Sequence, residues 1–253
     1  MSVTKNAIIA GGATGIGFAA AAALLSAGYS VTIAGRRSDV LEESAEKLRA
    51  LSDGPLVMTY VVDISTETGP VELVERHVAK FGGVDAVVIT AGIFETLPFE
   101  QITASSWDKT MNGTLRGPAL IAAAAGRHMA QVGSGRMVFI GSVNGHYSEP
   151  ESGVYSAAKA AIASLARSVV VDLASRGVIA NTVSPGWVET PMTAEILPHA
   201  TPEKIKEMIP IGRVGRPEEL AKVIRFLVVD APDYLCGANI VVDGGQTALA
   251  PSW

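Results

Sequence analysis

Asn6-Ala7-Ile8-Ile9-Ala10-Gly11-Gly12-Ala13-Thr14-Gly15-Ile16-Gly17 joins a short apolar run to a glycine-rich turn, and a helix-forming run follows at 18–27. A strand, a glycine turn and a helix in this order aim backbone N–H groups and the positive end of a helix at one point. Gly11 permits the tight turn, Gly15 lets a ligand approach the backbone, and Gly17 lets helix and strand pack closely. The stretch predicts a dinucleotide pyrophosphate site, although an ordinary strand-to-helix turn could use the same glycines.

The next apolar run, 30–34, ends in Gly35-Arg36-Arg37 and so decides which dinucleotide is expected. An acid about 20 residues after the glycines holds an unphosphorylated ribose, whereas an arginine there accommodates a 2′-phosphate. This chain has no acid at that point. We therefore favour NADP(H), with Arg36 as the main contact and Arg37 as the second candidate. NAD(H) stays as the alternative, since either arginine could be a solvated residue before the helical run 38–51.

Apolar runs and helical patterns alternate along the rest of the chain. Beyond 6–10 and 30–34, strands are predicted at 56–62, 84–90, 137–140, 178–183 and 239–242, and the helices between them at 67–81, 105–131, 152–175 and 217–229. Such alternation predicts an α/β fold with a parallel sheet covered on both faces. No linker interrupts it, so residues 1–253 are predicted to form one domain.

Residues 188–210 break the alternation with four prolines and several bulky apolar side chains. A long irregular segment inside a compact domain often covers a site. We predict a substrate lid at about 188–212. A loose surface excursion is the alternative.

Polar and small residues follow three of the predicted strands, where a doubly wound sheet places its ligands. Asp63-Ile64 follows the third strand, and Asp63 could accept a hydrogen bond from an adenine amino group or cap the next helix. Ala91-Gly92 follows the fourth strand and leaves room for a cofactor. Ser142 follows the fifth strand, as a reactive hydroxyl or as a simple turn residue.

Tyr155-Ser156-Ala157-Ala158-Lys159 opens the helical run 152–175. A spacing of four residues puts the phenol and the ammonium on one helix face. An ammonium beside a phenol favours the phenolate, so we expect Lys159 to pull the pKa of Tyr155 down from about 10 toward neutrality. Alone, the pair also arises by chance in many helices.

Composition narrows the classes of function. The chain has 253 residues, 20 Lys and Arg against 25 Asp and Glu, and a formal net charge of -5, which argues against a nucleic-acid or anionic-membrane surface. The lone Cys236 excludes an intrachain disulfide, and the four histidines are too scattered to suggest a metal site. The first residues lead into a strand rather than a signal peptide, and 18–27 is too short to span a bilayer. We expect a cytoplasmic protein.

Taken together, these motifs resemble the short-chain dehydrogenase/reductase family over nearly the entire chain. The resemblance implies a Rossmann-like doubly wound sheet of about seven strands, a nicotinamide cofactor, and a homotetramer or dimer. It implies a catalytic tetrad of Asn112, Ser142, Tyr155 and Lys159. The cofactor residues that the motifs and the resemblance imply are Gly11, Thr14, Gly15, Ile16, Gly17, Arg36, Arg37, Asp63, Ile64, Ala91, Gly92, Tyr155, Lys159, Pro185, Gly186, Val188 and Thr190.

The chemistry implied by this resemblance is hydride transfer between a secondary alcohol or ketone and NAD(P). Tyr155 would supply or remove the proton, Lys159 would bind the ribose hydroxyls, Ser142 would orient the carbonyl and Asn112 would hold a water. A dinucleotide-binding sensor or scaffold that catalyses nothing is the alternative from another class. The substrate itself stays open, and the residues predicted to line its pocket are Ser142, Asn144, His146, Tyr147, Phe94, Trp187 and Met192.

Two family positions differ in this chain. Ala10 stands where the glycine motif usually begins with Thr, and Ile89-Thr90-Ala91-Gly92 replaces Asn-Asn-Ala-Gly. Because those family residues brace the central strands, we expect compensating hydrogen bonds here, with Thr90 as the candidate donor. The three residues between Tyr155 and Lys159 argue against the enoyl reductase branch, which has a wider gap.

Overall fold

The computed structural model describes residues 4–51, Gly54 and 56–249. The strands of its sheet are β1 Asn6–Ala10, β2 Ser30–Gly35, β3 Val57–Val61, β4 Ala86–Ile89, β5 Gly135–Ile140, β6 Val178–Pro185 and β7 Asn239–Val242. The helices are α1 Gly15–Ser26, α2 Ser38–Arg49, α3 Gly69–Phe81, α4 Ala104–Met111, α5 Gly117–Val132, α6 Gly153–Leu173, α7 Pro202–Met208 and α8 Pro217–Arg225.

The seven strands form one parallel sheet in the order β3-β2-β1-β4-β5-β6-β7. Ile8 of β1 lies beside Thr32 of β2 on one side and Val87 of β4 on the other. The chain therefore reverses direction across the sheet between β1 and β4. In open α/β sheets this reversal leaves a crevice at the carboxyl ends of the strands, where ligands bind. The predicted α/β Rossmann-like sheet is confirmed.

Helices cover both faces of the sheet because the central strands are apolar on both sides. On one face of the sheet, Ile9 packs in a core with α1, α2 and α8. On the other face, the preceding residue Ile8 packs in a second core with α3, α5 and α6. Both isoleucines are fully buried. At about 25 cal/mol per Å² of apolar surface removed from water, two such layers supply the main driving force for folding.

The predicted helix 105–131 is interrupted by a π-helical turn, Asn112–Arg116, between α4 and α5. Pro118, near the start of α5, has no N–H to donate, so a regular helical bond to Thr114 cannot form. Gly117 is required at the junction because a Cβ there would lie 2.4 Å from the carbonyl oxygen of Ile64. The junction of the π-helical turn and α5 therefore packs closely against Ile64, in the loop that follows β3.

The segment 188–212 is more regular than predicted. α7 forms within it because Thr201 Oγ1 accepts a hydrogen bond from Lys204 N, 3.2 Å, and Pro202 occupies the first helical position, where no N–H is needed. The ends of the segment meet: Val188 bridges Gly215, and Gly215 N donates to Trp187 O at 2.9 Å. We call this contact between 187–189 and Gly215 the neck.

α6 is the longest helix, and by length and composition alone it could cross a membrane. It packs against β6, and Tyr155, Lys159, Ile162 and Ala166 are among its buried residues. A core helix passes the same test of length and apolarity. The packing identifies α6 as part of the core that carries Tyr155 and Lys159.

Candidate active site

A groove of about 580 Å³ runs along the carboxyl ends of the central strands. The glycine turn forms one end of it. Gly11 has a φ of +90°, in the left-handed region, and a Cβ on Gly17 would lie 2.1 Å from the carbonyl oxygen of Gly11. Both positions therefore require glycine. The other predicted cofactor residues that line the same groove are Thr14, Gly15, Ile16, Arg36, Arg37, Asp63, Ile64, Ala91, Gly92, Tyr155, Lys159, Pro185, Gly186, Val188 and Thr190.

Thr90 braces the glycine turn from the neighbouring strand. Its Oγ1 donates to the carbonyl oxygens of Ala10, 2.9 Å, and Gly11, 3.1 Å. The predicted compensation for the two departures from the family pattern is confirmed. Because the turn is held by these bonds, the backbone N–H groups at the start of α1 are oriented before any ligand arrives.

Arg36 and Asp63 lie at the end of the groove where an adenosine would sit. Asp63 Oδ1 accepts hydrogen bonds from Ser65 N at 2.9 Å and Ser65 Oγ at 2.7 Å. Partial burial acts to raise the pKa of the Asp63 carboxyl, but the two bonds from Ser65 and the charge of Arg36 hold it below its usual value. This end of the groove therefore combines a carboxylate acceptor with exposed arginine charge.

Tyr155 and Lys159 project from one face of α6 into the middle of the groove, as predicted. The Lys159 Nζ atom lies 5.6 Å from the centroid of the Tyr155 ring and donates to the carbonyl oxygen of Ile140 at 2.7 Å. Burial lowers the pKa of Lys159 to about 8. Gly92 leaves space beside the amine, since a Cβ there would lie 3.6 Å from Nζ.

The pKa of Tyr155 departs from the sequence-based prediction. Burial raises it to about 12, the Ser142 side chain acts to lower it, and the charge of Glu149 raises it further. The prediction that Lys159 brings it toward neutrality is wrong. The reason is that burial disfavours the phenolate more than the Ser142 hydroxyl stabilises it, while the Lys159 ammonium donates to the carbonyl oxygen of Ile140. Tyr155 therefore holds its proton at neutral pH.

Ser142 lines the same groove and is prepared to donate a hydrogen bond. Its Oγ accepts from Asn144 N at 3.1 Å, which leaves the hydroxyl hydrogen for another acceptor. A ligand oxygen between Ser142 and Tyr155 would meet two O–H donors. Such a pair stabilises negative charge that develops on a carbonyl oxygen.

Asn112 lies at the start of the π-helical turn, where its carbonyl oxygen accepts from Gly117 N. The neighbouring Gly113, and not Asn112, is among the described residues that line the groove. π-turns of this kind are often found at functional sites. The role of Asn112 stays a prediction.

A smaller cavity of about 60 Å³ adjoins the groove beside Ser142 and Tyr155. Four further predicted substrate residues line it: Phe94, Asn144, Trp187 and Met192. Phe94 packs edge-on against Tyr155, with ring centroids 4.9 Å apart and an angle of 80° between the rings. Glu149 also lines this cavity, and sequence reasoning missed it. The available signal was an acid in the short loop between Ser142 and Tyr155.

His146 and Tyr147 do not line either space in the described structure, which corrects their prediction as pocket residues. The Nε2 atom of His146 lies 3.1 Å from Asn239 Nδ2 of β7, and the Tyr147 hydroxyl accepts from Gln246 Nε2 at 2.5 Å. Both residues follow the 3₁₀ turn Val143–Gly145, and their partners lie on β7 and in the turn after it. These contacts tie the loop after Ser142 to the C-terminal part of the chain.

Comparison with known proteins finds relatives that match nearly the full length of this chain. A protein-family model described as enoyl-(acyl carrier protein) reductase matches residues 11–247. The cis-4-hydroxycyclohexanecarboxylate dehydrogenase of Sinomonas cyclohexanicum is 38% identical over 247 residues, 97% of this chain and 97% of the relative. A 3-oxoacyl-(acyl-carrier-protein) reductase of Thermotoga maritima is 35% identical over 243 residues, 95% of this chain and 97% of the relative.

Solved structures agree with these relatives. The crystal structure of levodione reductase superposes with a TM-score of 0.92 and 30% identity, covering 97% of this chain and 98% of the other. Sequence and structure therefore identify the same group of alcohol dehydrogenases and ketone reductases. With a glycine turn, a tyrosine and a lysine facing one groove, the chain is an oxidoreductase that belongs to the short-chain dehydrogenase/reductase family.

Proposed function

We propose that this protein interconverts a secondary alcohol and a ketone, using a nicotinamide cofactor and Tyr155 as the acid and base. The observation that carries the proposal is that Ser142, Tyr155 and Lys159 line the same groove as the glycine turn. The cofactor residues fit the group, because the glycine turn lines the groove and packs closely enough at Gly11 and Gly17 to present the start of α1 to a pyrophosphate. When bound, the nicotinamide supplies or accepts the hydride.

In the reductive direction the carbonyl carbon gains a hydride and the oxygen gains a proton. Tyr155 holds its proton at neutral pH and donates it to that oxygen, while Ser142 donates a second hydrogen bond that orients the carbonyl. Lys159 would bind the ribose hydroxyls, and Asn112 would hold the water that returns a proton to the site. In the oxidative direction the same residues act in reverse, with Tyr155 accepting the proton of the alcohol.

We propose a ketone or alcohol substrate rather than an enoyl group, although the matching family model is described as an enoyl reductase. The separation of Tyr155 and Lys159 by three residues supports this choice. So do the names of the curated relatives, which are a hydroxycyclohexanecarboxylate dehydrogenase and a 3-oxoacyl reductase. A cyclic or acyl ketone is therefore the first class of substrate to screen.

We further propose NADP(H) as the preferred cofactor, with Arg36 as the main contact for the 2′-phosphate and Arg37 as the second. Both arginines line the groove, and the charge of Arg36 reaches Asp63. An arginine binds phosphate through charge-assisted bonds, which are stronger than neutral ones.

The segment 188–212 is proposed as the substrate lid within a single domain. Val188, Thr190, Met192 and Thr193 line the groove, and the neck holds the two ends of the segment together. Closure would bring Thr190 and Met192 over a substrate at Tyr155. A cytoplasmic homotetramer or dimer remains our proposal for location and assembly.

The experiment that tests the function is the substitution Tyr155→Phe, which removes one oxygen atom from the site. Turnover of ketones and secondary alcohols, followed at the nicotinamide absorbance band, should fall by about 10²- to 10⁴-fold, the usual contribution of a positioned acid. Cofactor affinity should change little. Tyr234→Phe is the matched control, since Tyr234 is fully exposed. Near-normal turnover by Tyr155→Phe would overturn the proposed role.

A further inference from the structure

Glu149 places a carboxylate at the cavity beside the reactive residues. Its Oε1 atom accepts a hydrogen bond from Trp187 Nε1 at 3.2 Å, and its Oε2 atom accepts from Asn144 Nδ2 at 3.4 Å. Asn144 is itself 6% exposed and is held by a second bond from Nδ2 to Ser152 Oγ at 3.3 Å. The carboxylate is therefore fixed by two neutral donors that belong to the loops on either side of the cavity.

No cationic side chain forms an ion pair with this carboxylate in the described part of the chain. The ion pairs found there, all with N–O distances of 4.0 Å or less, involve other acids. The remaining residues that line the cavity are neutral at pH 7. Each carboxylate oxygen has lone pairs beyond the one long bond that it accepts. The cavity therefore has acceptor capacity and negative charge to offer a ligand.

Glu149 lies within electrostatic reach of the reacting group. Tyr155 is affected first by burial and also by the negative charge of Glu149, both of which raise its pKa. Both residues line the cavity of about 60 Å³, and Phe94 and Met192 supply apolar surface there. A small substrate with its reacting oxygen at Tyr155 would extend past Phe94 toward Glu149.

We propose that Glu149 is a specificity-determining residue that selects a neutral substrate with a second hydroxyl beside the reacting carbon, and rejects one with a carboxylate there. The second hydroxyl donates a hydrogen bond to the Glu149 carboxylate, and Phe94 and Met192 contact the carbon skeleton. A substrate carboxylate there would meet the like charge of Glu149. The preferred class is thus a vicinal diol or the matching α-hydroxy ketone.

This inference rests on the proposed function and adds no chemical step to it. On oxidation the reacting carbon loses a hydride to the oxidised nicotinamide cofactor, and its hydroxyl proton passes to Tyr155 after Tyr155 has released its own proton to solvent. The second hydroxyl stays unchanged, so the product is an α-hydroxy ketone. Glu149 takes no proton and only accepts a hydrogen bond.

Three four-carbon alcohols of the same skeleton size test the assignment: butan-2-ol, butane-2,3-diol and 2-hydroxybutanoate. In the wild type, kcat/KM for the diol should exceed that for each of the other two by about tenfold or more, since the diol gains a charge-assisted hydrogen bond that butan-2-ol lacks, and 2-hydroxybutanoate meets like charge. Glu149→Gln keeps the size of the side chain and removes its charge. It should lower the preference for the diol over 2-hydroxybutanoate by about tenfold or more.

The matched control is Glu151→Gln, because Glu151 is an exposed acid on the same loop and does not line the cavity. It should keep the wild-type ratios. Ratios of kcat/KM are used because a loss of folded protein lowers all three activities equally. Unchanged ratios in Glu149→Gln, with turnover present, would overturn the role of Glu149 and leave the proposed function intact. Absence of nicotinamide-dependent turnover across ketones and alcohols would contradict the proposed function itself, and this inference with it.

Discussion

His77 gives the fold a pH dependence that is separate from the active site. Its ring is fully buried in the core on α3, with Nδ1 2.7 Å from Thr32 Oγ1 and Nε2 2.7 Å from Asn6 Oδ1. Asn6 Oδ1 can only accept, so Nε2 carries the hydrogen and Nδ1 accepts from Thr32. A neutral ring satisfies both partners, and burial lowers the pKa of His77 from 6.5 to about 4.

The size of the pH effect on the free energy of unfolding follows from the linkage between protonation and folding. The unfolded chain binds a proton at His77 below its ordinary pKa of 6.5, whereas the folded chain binds it only near about 4. The stability from this group is therefore present above pH 6.5 and is lost as the pH falls toward 4. Between about pH 7 and about pH 5, His77 alone should lower the free energy of unfolding by about 2 kcal/mol.

Urea unfolding at a fixed protein concentration measures this loss, because the midpoint and slope give the free energy at each pH. His77→Gln keeps a side chain that can hydrogen-bond Thr32 and Asn6 but removes the titrating ring. We expect that variant to lose about 2 kcal/mol less than the wild type over the same pH interval. His199→Gln is the control, since His199 is exposed, and it should behave as the wild type does.

An equal loss of stability in His77→Gln and the wild type would refute the reasoning. It would mean that carboxylates or subunit dissociation, rather than His77, set the response to acid. Titration of the His77 ring by NMR in the folded protein gives an independent reading. A ring that gains its proton near its ordinary pKa would contradict the buried neutral form directly.

Two further substitutions test the groove. Gly17→Ala puts a Cβ 2.1 Å from the Gly11 carbonyl oxygen, so overpacking should lower the free energy of unfolding by about 1 to 3 kcal/mol. In fluorescence titrations it should weaken cofactor binding about tenfold or more. Gly83→Ala is the control, since no atom lies within 4 Å of its Cβ, and it should leave binding unchanged. Arg36→Ala should weaken NADP(H) by about 1.5 to 3 kcal/mol and NAD(H) far less, with Arg37→Ala showing a smaller difference. Equal losses for both cofactors in Arg36→Ala would disprove the phosphate contact.

The fold could be predicted from the sequence because its strongest signals are local. The run from Asn6 to Gly17 contains a strand, a turn that only glycine permits, and the start of α1. Alternating apolar runs then place the remaining strands, and parallel strands with helical crossovers leave few ways to order them. Element boundaries shifted by a few residues, as at α1, which begins at Gly15 rather than at 18.

The parts of the site that could not be predicted depend on contacts between distant residues. The pKa of Tyr155 reflects burial that no four-residue spacing reveals. His146 turns away from the cavity because Asn239 is on a strand far along the chain. Glu149 enters it because Trp187 and Asn144 hold its two oxygens. Asn239 and Trp187 are far along the chain from His146 and Glu149, beyond the range of local sequence patterns.

The neck joins the two ends of the 188–212 segment beside the sheet. Val188 and Gly215 are paired in parallel, so the chain leaves and rejoins the core at neighbouring positions. Doubling the length of a flexible loop whose ends are already joined costs only about 0.6 kcal/mol. We therefore expect that chimeras which exchange residues 194–208, and keep Thr190 at the groove, can change the substrate without rebuilding the Tyr155 site.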